Sequence, residues 1–487
     1  MTIPDTTAEE VDRIVARAAE ASSAWARTAP TERARVMRAL AGALDGAGPG
    51  LIDVAAEETH LTETRLTAEL VRTTFQLRFL ADEIVRGQWL DACIDHADPD
   101  WPMGAPRPDL RRVRIAVGPV VVFAAGNFPF AFSVAGGDTA SALAAGSAVV
   151  LKVHPGHPRL SAETARVIDE VASAAGAPDA LVQTVFGTEA GARVLRAPQI
   201  AAGAFTGSIS GGRALFDIAA ARPEPIPFFG ELGSVNPAFV APGAARARAG
   251  EIADGFVASV TGSAGQLCTK PGLLFVPADS ELPAILTDAV LPDGVPMLND
   301  AMRAGFARRL GALADHPDVV VANGVVDAAS ASPTPVLLRV GVDQVVADLE
   351  TLTGEVFGPA ALVVEYDDES VLPALAARLE GQLTASLFAD PDDALAADLL
   401  PVLSGRAGRV LWNQWPTGVS VTHAQHHGGP YPATTAPATT SVGAAAITRF
   451  TRPVAYQNVP DALLPEPLRE SNPWGVPRVV DGVLTTH

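Results

Sequence analysis

From the N-terminus to about residue 95, apolar side chains recur at helical spacing. Val11, Ile14, Val15, Ala18 and Trp25 make one stripe between Ala8 and Ala26. A second helix is predicted to open at Thr31 and a third to run from Thr62 to Val85, each with a threonine start. Residues 97–112, rich in Asp, Pro and Arg, break the pattern and mark a linker or an excursion. From Val117 short apolar runs alternate with Ala-rich helical stretches. Val120–Ala125, Ala148–Lys152, Val182–Phe186 and Ala201–Thr206 are predicted strands. A helix is expected from Gly126-Asn-Phe-Pro129 through Ala145, and another over Pro158–Ala175. Alternation at this spacing predicts βαβ units and a parallel sheet. A second α/β block spans Pro237 to Val421, with strands such as Leu273–Val276, Ala361–Glu365 and Gly408–Asn413. The Pro/Thr-rich tail from His426 reads by composition as a linker, and no internal repeat is found.

In open parallel sheets, ligands bind beyond the carboxyl ends of the strands. That singles out Asn127, Lys152 and Thr206-Gly207-Ser208. Ser208 precedes a helical pattern, where free N–H groups suit either a phosphate or a plain serine cap. No G-x-G-x-x-G fingerprint is present.

Composition narrows the class. Two cysteines in 487 residues cannot form a disulfide framework, so a reducing cytoplasm is the default. The start has neither the basic nor the apolar region of a signal peptide. No apolar run is long enough to span a membrane. The net charge of −20 argues against a nucleic-acid surface.

Rarity points to the chemistry. One of the two cysteines, Cys268, lies in Gly262-Ser-Ala-Gly-Gln-Leu-Cys-Thr-Lys-Pro-Gly272, beside one of only two lysines, Lys270; the other is Lys152. Glu231, between aromatic and glycine residues, is expected to be desolvated, with a pKa raised toward that of a general base. Thiol, carboxylate, amide and phosphate-type helix end are the parts needed to capture a carbonyl covalently and hydrolyse the product. The histidines His423, His426, His427, His154 and His157 have no Asp, Glu or Cys at metal-site spacing, and no metal is expected.

The blocks Gly126-Asn-Phe-Pro129, Val150-Leu-Lys152, Phe205-Thr-Gly-Ser208, Glu231-Leu-Gly, Gly265-Gln-Leu-Cys268 and Glu355-Val-Phe-Gly-Pro359 resemble, in order and spacing, the aldehyde dehydrogenase superfamily. Further stretches, Ala131–Gly146, Lys152–Pro158, Arg222–Pro227, His427–Thr434 and Arg452–Gln457, are most similar to its α-ketoglutaric semialdehyde (2,5-dioxopentanoate) dehydrogenase branch. The resemblance implies a Rossmann-like coenzyme domain (1–97 and 117–231) and a catalytic domain (232–430), both parallel-sheet α/β. It also implies an oligomerisation element, 98–116, pairing with C-terminal strands (431–487) of another subunit in a homodimer or homotetramer. The Pro/Thr-rich tail is then ordered, against its composition.

By the same resemblance, Cys268 is the nucleophile, Asn127 the oxyanion donor and Glu231 the base that hydrolyses a thioester. Lys152, Thr206, Gly207 and Ser208 contact the adenosine ribose and pyrophosphate, Glu355 the nicotinamide-side ribose, and Phe357 the ring. Pro155 stands where NAD-preferring relatives often carry Glu, which favours NADP over NAD, with Arg193 as a candidate phosphate partner. Arg72 and Arg78 are candidates for a distal substrate carboxylate, and Phe75 for narrowing the pocket. His427 gains a supporting role, and Lys270 none. The competing readings are a long-chain or aromatic aldehyde dehydrogenase and a catalytically silent relative.

Overall fold

The computed structural model describes residues 3–327 and 330–485. Its first sheet has five parallel strands in the order Val182–Val185, Val149–Lys152, Val120–Phe123, Ala202–Thr206 and Phe228–Glu231. Their apolar runs reflect burial on both faces, the usual state of a parallel sheet. One face is covered by Val11, Val15 and Ala18 of the helix Ala8–Ala26 together with Val194 and Leu195. The other packs against the helices Pro30–Thr59, Glu63–Arg86 and Gly137–Ala145. The threonine start is realised at Thr62, whose hydroxyl accepts from the Arg65 N–H, and the first helix has one that was not expected, at Thr7, which accepts from the Glu10 N–H. The second helix instead begins one residue before Thr31, with Pro30 in its first turn.

One expected helix is much shorter. Residues 124–136 form turns, and the helix begins only at Gly137. The cause is a carboxylate: buried Glu69 accepts the N–H groups of Phe130 and Ala131 at 2.8 and 2.9 Å, so a helical ladder is not needed to satisfy them.

The second sheet has seven strands, ordered Val320–Gly324, Val336–Gly341, Ala360–Tyr366, Leu273–Pro277, Ala238–Val240, Gln382–Phe388 and Ala407–Trp412. All neighbours are parallel except the antiparallel edge strand Val320–Gly324.

The third sheet corrects the expected pairing of the excursion. Leu110–Ala116 runs antiparallel to Thr451–Gln457 of the same chain over its whole length. Ala92–Asp95 and Arg478–Val480 extend the sheet, so it starts before residue 98. The chain is brought back by Ala444–Phe450, whose Ile447 and Phe450 are fixed in the core of the first sheet.

The tail is ordered rather than a linker. Residues 430–435 cross the end of Phe228–Glu231, with the Leu232 N–H donating to Ala433 O (2.8 Å) and the Thr435 N–H to Gly230 O (3.0 Å). Among the described residues no helix is long and apolar enough to cross a membrane.

Candidate active site

The loop carrying Cys268 is shaped by backbone conformation. After the helix Pro242–Thr261, Ser263, Ala264 and Gly265 all take left-handed φ values, 52°, 53° and 64°. A Cβ on Gly265 would lie 2.2 Å from the Gly358 carbonyl oxygen, so only glycine fits. Beyond it, the Asn236 amide donates to the carbonyls of Cys268 (2.8 Å) and Lys270 (3.0 Å). Asn236 is itself tied to Ser234, Gln382 and Thr384. The thiol is thus held from below by a buried amide network, in which Asn236 and Gln382 had no sequence motif to reveal them.

Around the thiol the fold gathers residues far apart in sequence. His427 Nε2 lies 3.7 Å from Cys268 Sγ and 2.9 Å from Glu231 Oε1. Ligand-type atoms of the three residues all lie within 4.8 Å of one another. The premise that the histidines lack an acid or thiol companion therefore fails for His427. Ser441 donates to Glu231 Oε2 at 2.6 Å. The raised pKa expected of Glu231 is also corrected. Burial pushes it up, but His427, the Ser441 hydroxyl and Arg449 together outweigh that and hold it below the ordinary carboxylate range. Burial of the Cys268 thiol, next to the negative charges of Glu231 and Glu355, raises its pKa well above the usual thiol value.

Asn127 joins this cluster through Gln266, whose carbonyl accepts from its side-chain amide at 3.0 Å. Arg65, which sequence reading passed over, fixes the loop. It donates to Asn127 O (2.9 Å), Ser263 Oγ (2.8 Å) and Glu69 Oε2 (2.8 Å) and lies over the Phe128 ring. One guanidinium therefore ties the amide loop to the thiol loop, as the rigid planar fork allows.

The nucleotide candidates cluster at the carboxyl edge of the first sheet. Lys152 ends its strand half-buried, and Thr206 ends the strand two places along the sheet. Gly207 and Ser208 are exposed at the start of the helix Ile209–Ala220, where the Gly211 N–H takes the Ser208 hydroxyl at 3.2 Å. Ser208 is thus a cap, and the exposed helix end beside it suits a pyrophosphate. Arg193 is not free for a phosphate, because two of its nitrogens are taken by Asp12 at 3.0 and 2.7 Å.

Lys270 acquires a place. Its buried ammonium donates to Val356 O (2.8 Å) and Ala360 O (2.6 Å), gripping the turn between Glu355 and Phe357. Burial lowers the Lys270 pKa and raises that of Glu355, with Lys270 the main charge opposing the rise. Lys270→Met leaves two buried carbonyls unpartnered, at about 1–3 kcal/mol each. The expected outcome is a lower melting temperature and a several-fold higher cofactor KM with kcat little changed, read by thermal denaturation and steady-state kinetics.

Two arginines lie within electrostatic reach of the thiol. Arg72 is largely buried, lies over the Phe132 ring and has a buried Nη1 without a hydrogen-bond partner. Arg409 holds the carbonyls of Pro416 and Gly418, and both cations feel the Cys268 charge. Arg78 is instead spent on Asp45 at the surface. Phe75 is half-exposed and stacked on Phe79 at 6.0 Å.

The chain is similar in sequence and fold to known proteins. The aldehyde dehydrogenase family model matches residues 1–290. The chain belongs to the aldehyde dehydrogenase family. It is 42% identical over 99% of its length to an α-ketoglutaric semialdehyde dehydrogenase of Acinetobacter baylyi, covering 92% of that protein. It is 43% identical over 97% of its length to α-ketoglutaric semialdehyde dehydrogenase 2 of Azospirillum brasilense, covering 91% of it. Among solved structures, the NADP-dependent glyceraldehyde-3-phosphate dehydrogenase of Bacillus halodurans superposes with a TM-score of 0.78. That match is at 22% identity, over 94% of this chain and 93% of that one. The aldehyde dehydrogenase described here is an oxidoreductase acting on the aldehyde group, and the family uses NAD(P).

Proposed function

We propose that this aldehyde dehydrogenase oxidises 2,5-dioxopentanoate to 2-oxoglutarate. The buried Arg72 with its unpartnered Nη1 carries the assignment. Arg72 Nε donates to the Val419 carbonyl at 3.5 Å, but a buried donor nitrogen left without a partner is costly, and a substrate carboxylate is a natural partner for it. The identity to the two α-ketoglutaric semialdehyde dehydrogenases supports the same substrate.

In this reading Cys268 Sγ attacks the aldehyde carbon, and the carbonyl π electrons move to an oxyanion that the Asn127 amide stabilises. Such a donor is worth about 3 kcal/mol. NAD(P), when bound, accepts the hydride. Lys152, Thr206, Gly207 and Ser208 would hold its adenosine and pyrophosphate end, and Glu355 and Phe357 its nicotinamide end. The resulting thioester on Cys268 is hydrolysed by water that gives a proton to Glu231. Pro155 is exposed and uncharged, so no carboxylate there repels a 2′-phosphate, which favours NADP over NAD.

With the third sheet starting at Ala92–Asp95, the coenzyme domain comprises 1–91 and 117–231, the catalytic domain 232–430, and the strands of the third sheet an oligomerisation element. The outer edge of Thr451–Gln457 and the exposed Val483 and Leu484 suit a homodimer or homotetramer.

The test is an aldehyde panel with both cofactors. Arg72→Met is expected to lower kcat/KM for 2,5-dioxopentanoate by roughly 10²-fold, the scale of a lost charge-assisted bond. An uncharged aldehyde of equal length should change only a few-fold. Equal losses on both substrates would overturn the assignment. A wild-type preference for a long-chain or aromatic aldehyde would favour the Phe128 and Phe132 side of the pocket as the specificity surface.

A further inference from the structure

We propose that the buried Asp138–Arg449 pair is a positioning element for the deacylation base: Arg449 presents a permanent positive charge to Glu231 from behind, and Asp138 holds that guanidinium in place. The proposal rests on Glu231 being the base that hydrolyses the Cys268 thioester. Neither residue belongs to the six blocks of the resemblance.

The sheet brings the cation to the face on which the base stands. Side chains alternate along a strand, so Phe229 and Glu231 project from the same side of Phe228–Glu231. The Arg449 guanidinium lies over the Phe229 ring, 5.8 Å from its centroid, and 5.0 Å from that of Phe450. The two rings meet edge to face at 5.6 Å, and the arginine side chain between them is only 3% exposed.

Asp138 fixes the other end. Its carboxylate accepts from Arg449 Nη2 at 2.6 Å and is itself buried. It stands in the first turn of the helix Gly137–Ala145, where free N–H groups favour an anion. The same helix start abuts Ser441, the residue that donates to Glu231: a Cβ on Gly137 would lie 3.4 Å from the Ser441 carbonyl oxygen. Base, serine and ion pair therefore form one packed unit.

Glu231 needs such a neighbour. It is buried, and a buried carboxyl keeps its proton unless charges or hydrogen bonds oppose it. A protonated Glu231 could not take a proton from water. Around the thiol it interacts with His427, Cys268 and Arg72; behind it are Ser441, Arg449 and Asp138. Ser441 is uncharged, His427 is a cation only when protonated, and Arg72 is neutralised by the substrate carboxylate in the reading above. Arg449 is the permanent cation left to the base. Within the pair, the guanidinium is the half that Glu231 feels. Burial raises the Glu231 pKa, and His427, Ser441 and Arg449 bring it down. Asp138 is pushed up by burial, held back by Arg449 and pushed further by the Glu231 charge.

The decisive measurement is hydrolysis of an acyl group on Cys268 as a function of pH. In cofactor-free enzyme, p-nitrophenyl acetate acylates the thiol directly, with p-nitrophenolate leaving, so the natural aldehyde is not needed. Loss of the acetyl group is followed between pH 4.5 and 8.5 by mass spectrometry of the Cys268 peptide. Wild type and Arg449→Lys are expected to hold a flat rate down to pH 5. Arg449→Met, and Asp138→Asn/Arg449→Met in which the whole pair is removed, should show an acidic limb about one pH unit or more higher. Both should be several-fold slower at pH 5 and recover by pH 8. Asp138→Asn alone should leave the limb in place or lower it. In a Glu231→Gln background, Arg449→Met should change the remaining rate by less than about twofold, because the group it acts on is gone.

Packing alone predicts a different pattern: a limb that stays in place in Arg449→Met, whatever the rate, or an Arg449→Lys enzyme as impaired as Arg449→Met. Either would overturn the proposal. If neither methionine variant folds, Asp138→Asn decides: a limb moved up sinks the proposal, and one unmoved or lowered supports it. Wild-type hydrolysis in Glu231→Gln would instead bring down the base assignment itself.

Discussion

Cys268→Ala should abolish the pre-steady-state burst of reduced cofactor and lower turnover by roughly four orders of magnitude or more, the scale seen when a covalent nucleophile is removed. No second thiol can substitute. Cys93 lies in the strand Ala92–Asp95 of the third sheet, away from Asn127 and Glu231. The fold should survive, because the half-buried Cys268 side chain makes one polar contact, to His427 at 3.7 Å, and its loop is held through backbone carbonyls by Asn236. Stopped-flow absorbance at 340 nm, with circular dichroism as the folding control, checks both halves. A normal burst in a folded variant would rule Cys268 out.

Glu231→Gln should separate the two halves of the reaction. The burst remains because thiol attack and hydride departure do not need the carboxylate to accept water's proton. Steady-state turnover should fall by about 10²- to 10⁴-fold, the range for a positioned general base, with thioester accumulating on Cys268. The pH sign follows from the environment. His427, Ser441 and Arg449 hold the Glu231 pKa below its ordinary value. The carboxylate is therefore charged throughout the neutral range, and deacylation should lose rate only as pH falls through that lowered pKa. Quench and mass spectrometry of the acyl-enzyme provide the readout. Turnover within threefold of wild type would place the base elsewhere.

Cys268 was disclosed by its rarity, and other parts of the site by their attachment to regular structure. Lys152 and Thr206 end strands whose apolar runs are unmistakable, so their position at the carboxyl edge followed from periodicity alone, whereas Glu231 was found by its aromatic and glycine neighbours and the strand it ends was not foreseen. Side chains acting on loop backbone left no pattern. Asn236, Gln382, Arg65 and Glu69 orient Cys268 and Asn127 by gripping carbonyls and N–H groups, and nothing in residue spacing announces such a grip. The pKa of Glu231 was misjudged because desolvation was weighed without His427 and Ser441, which lie 196 and 210 positions downstream. The tail was judged by its Pro and Thr content, yet its order comes from hydrogen bonds to Gly230 and Leu232, which composition does not encode.

The crossing of residues 430–435 over the end of Phe228–Glu231 also sets an order of events during synthesis. Glu231, Asn127 and Cys268 leave the ribosome long before His427 and Ser441 do. Until then the thiol has neither its imidazole nor the serine that fixes its carboxylate. A nascent chain thus exposes Cys268 before its neighbours exist, and completes the site only when the stretch from His427 on has folded back.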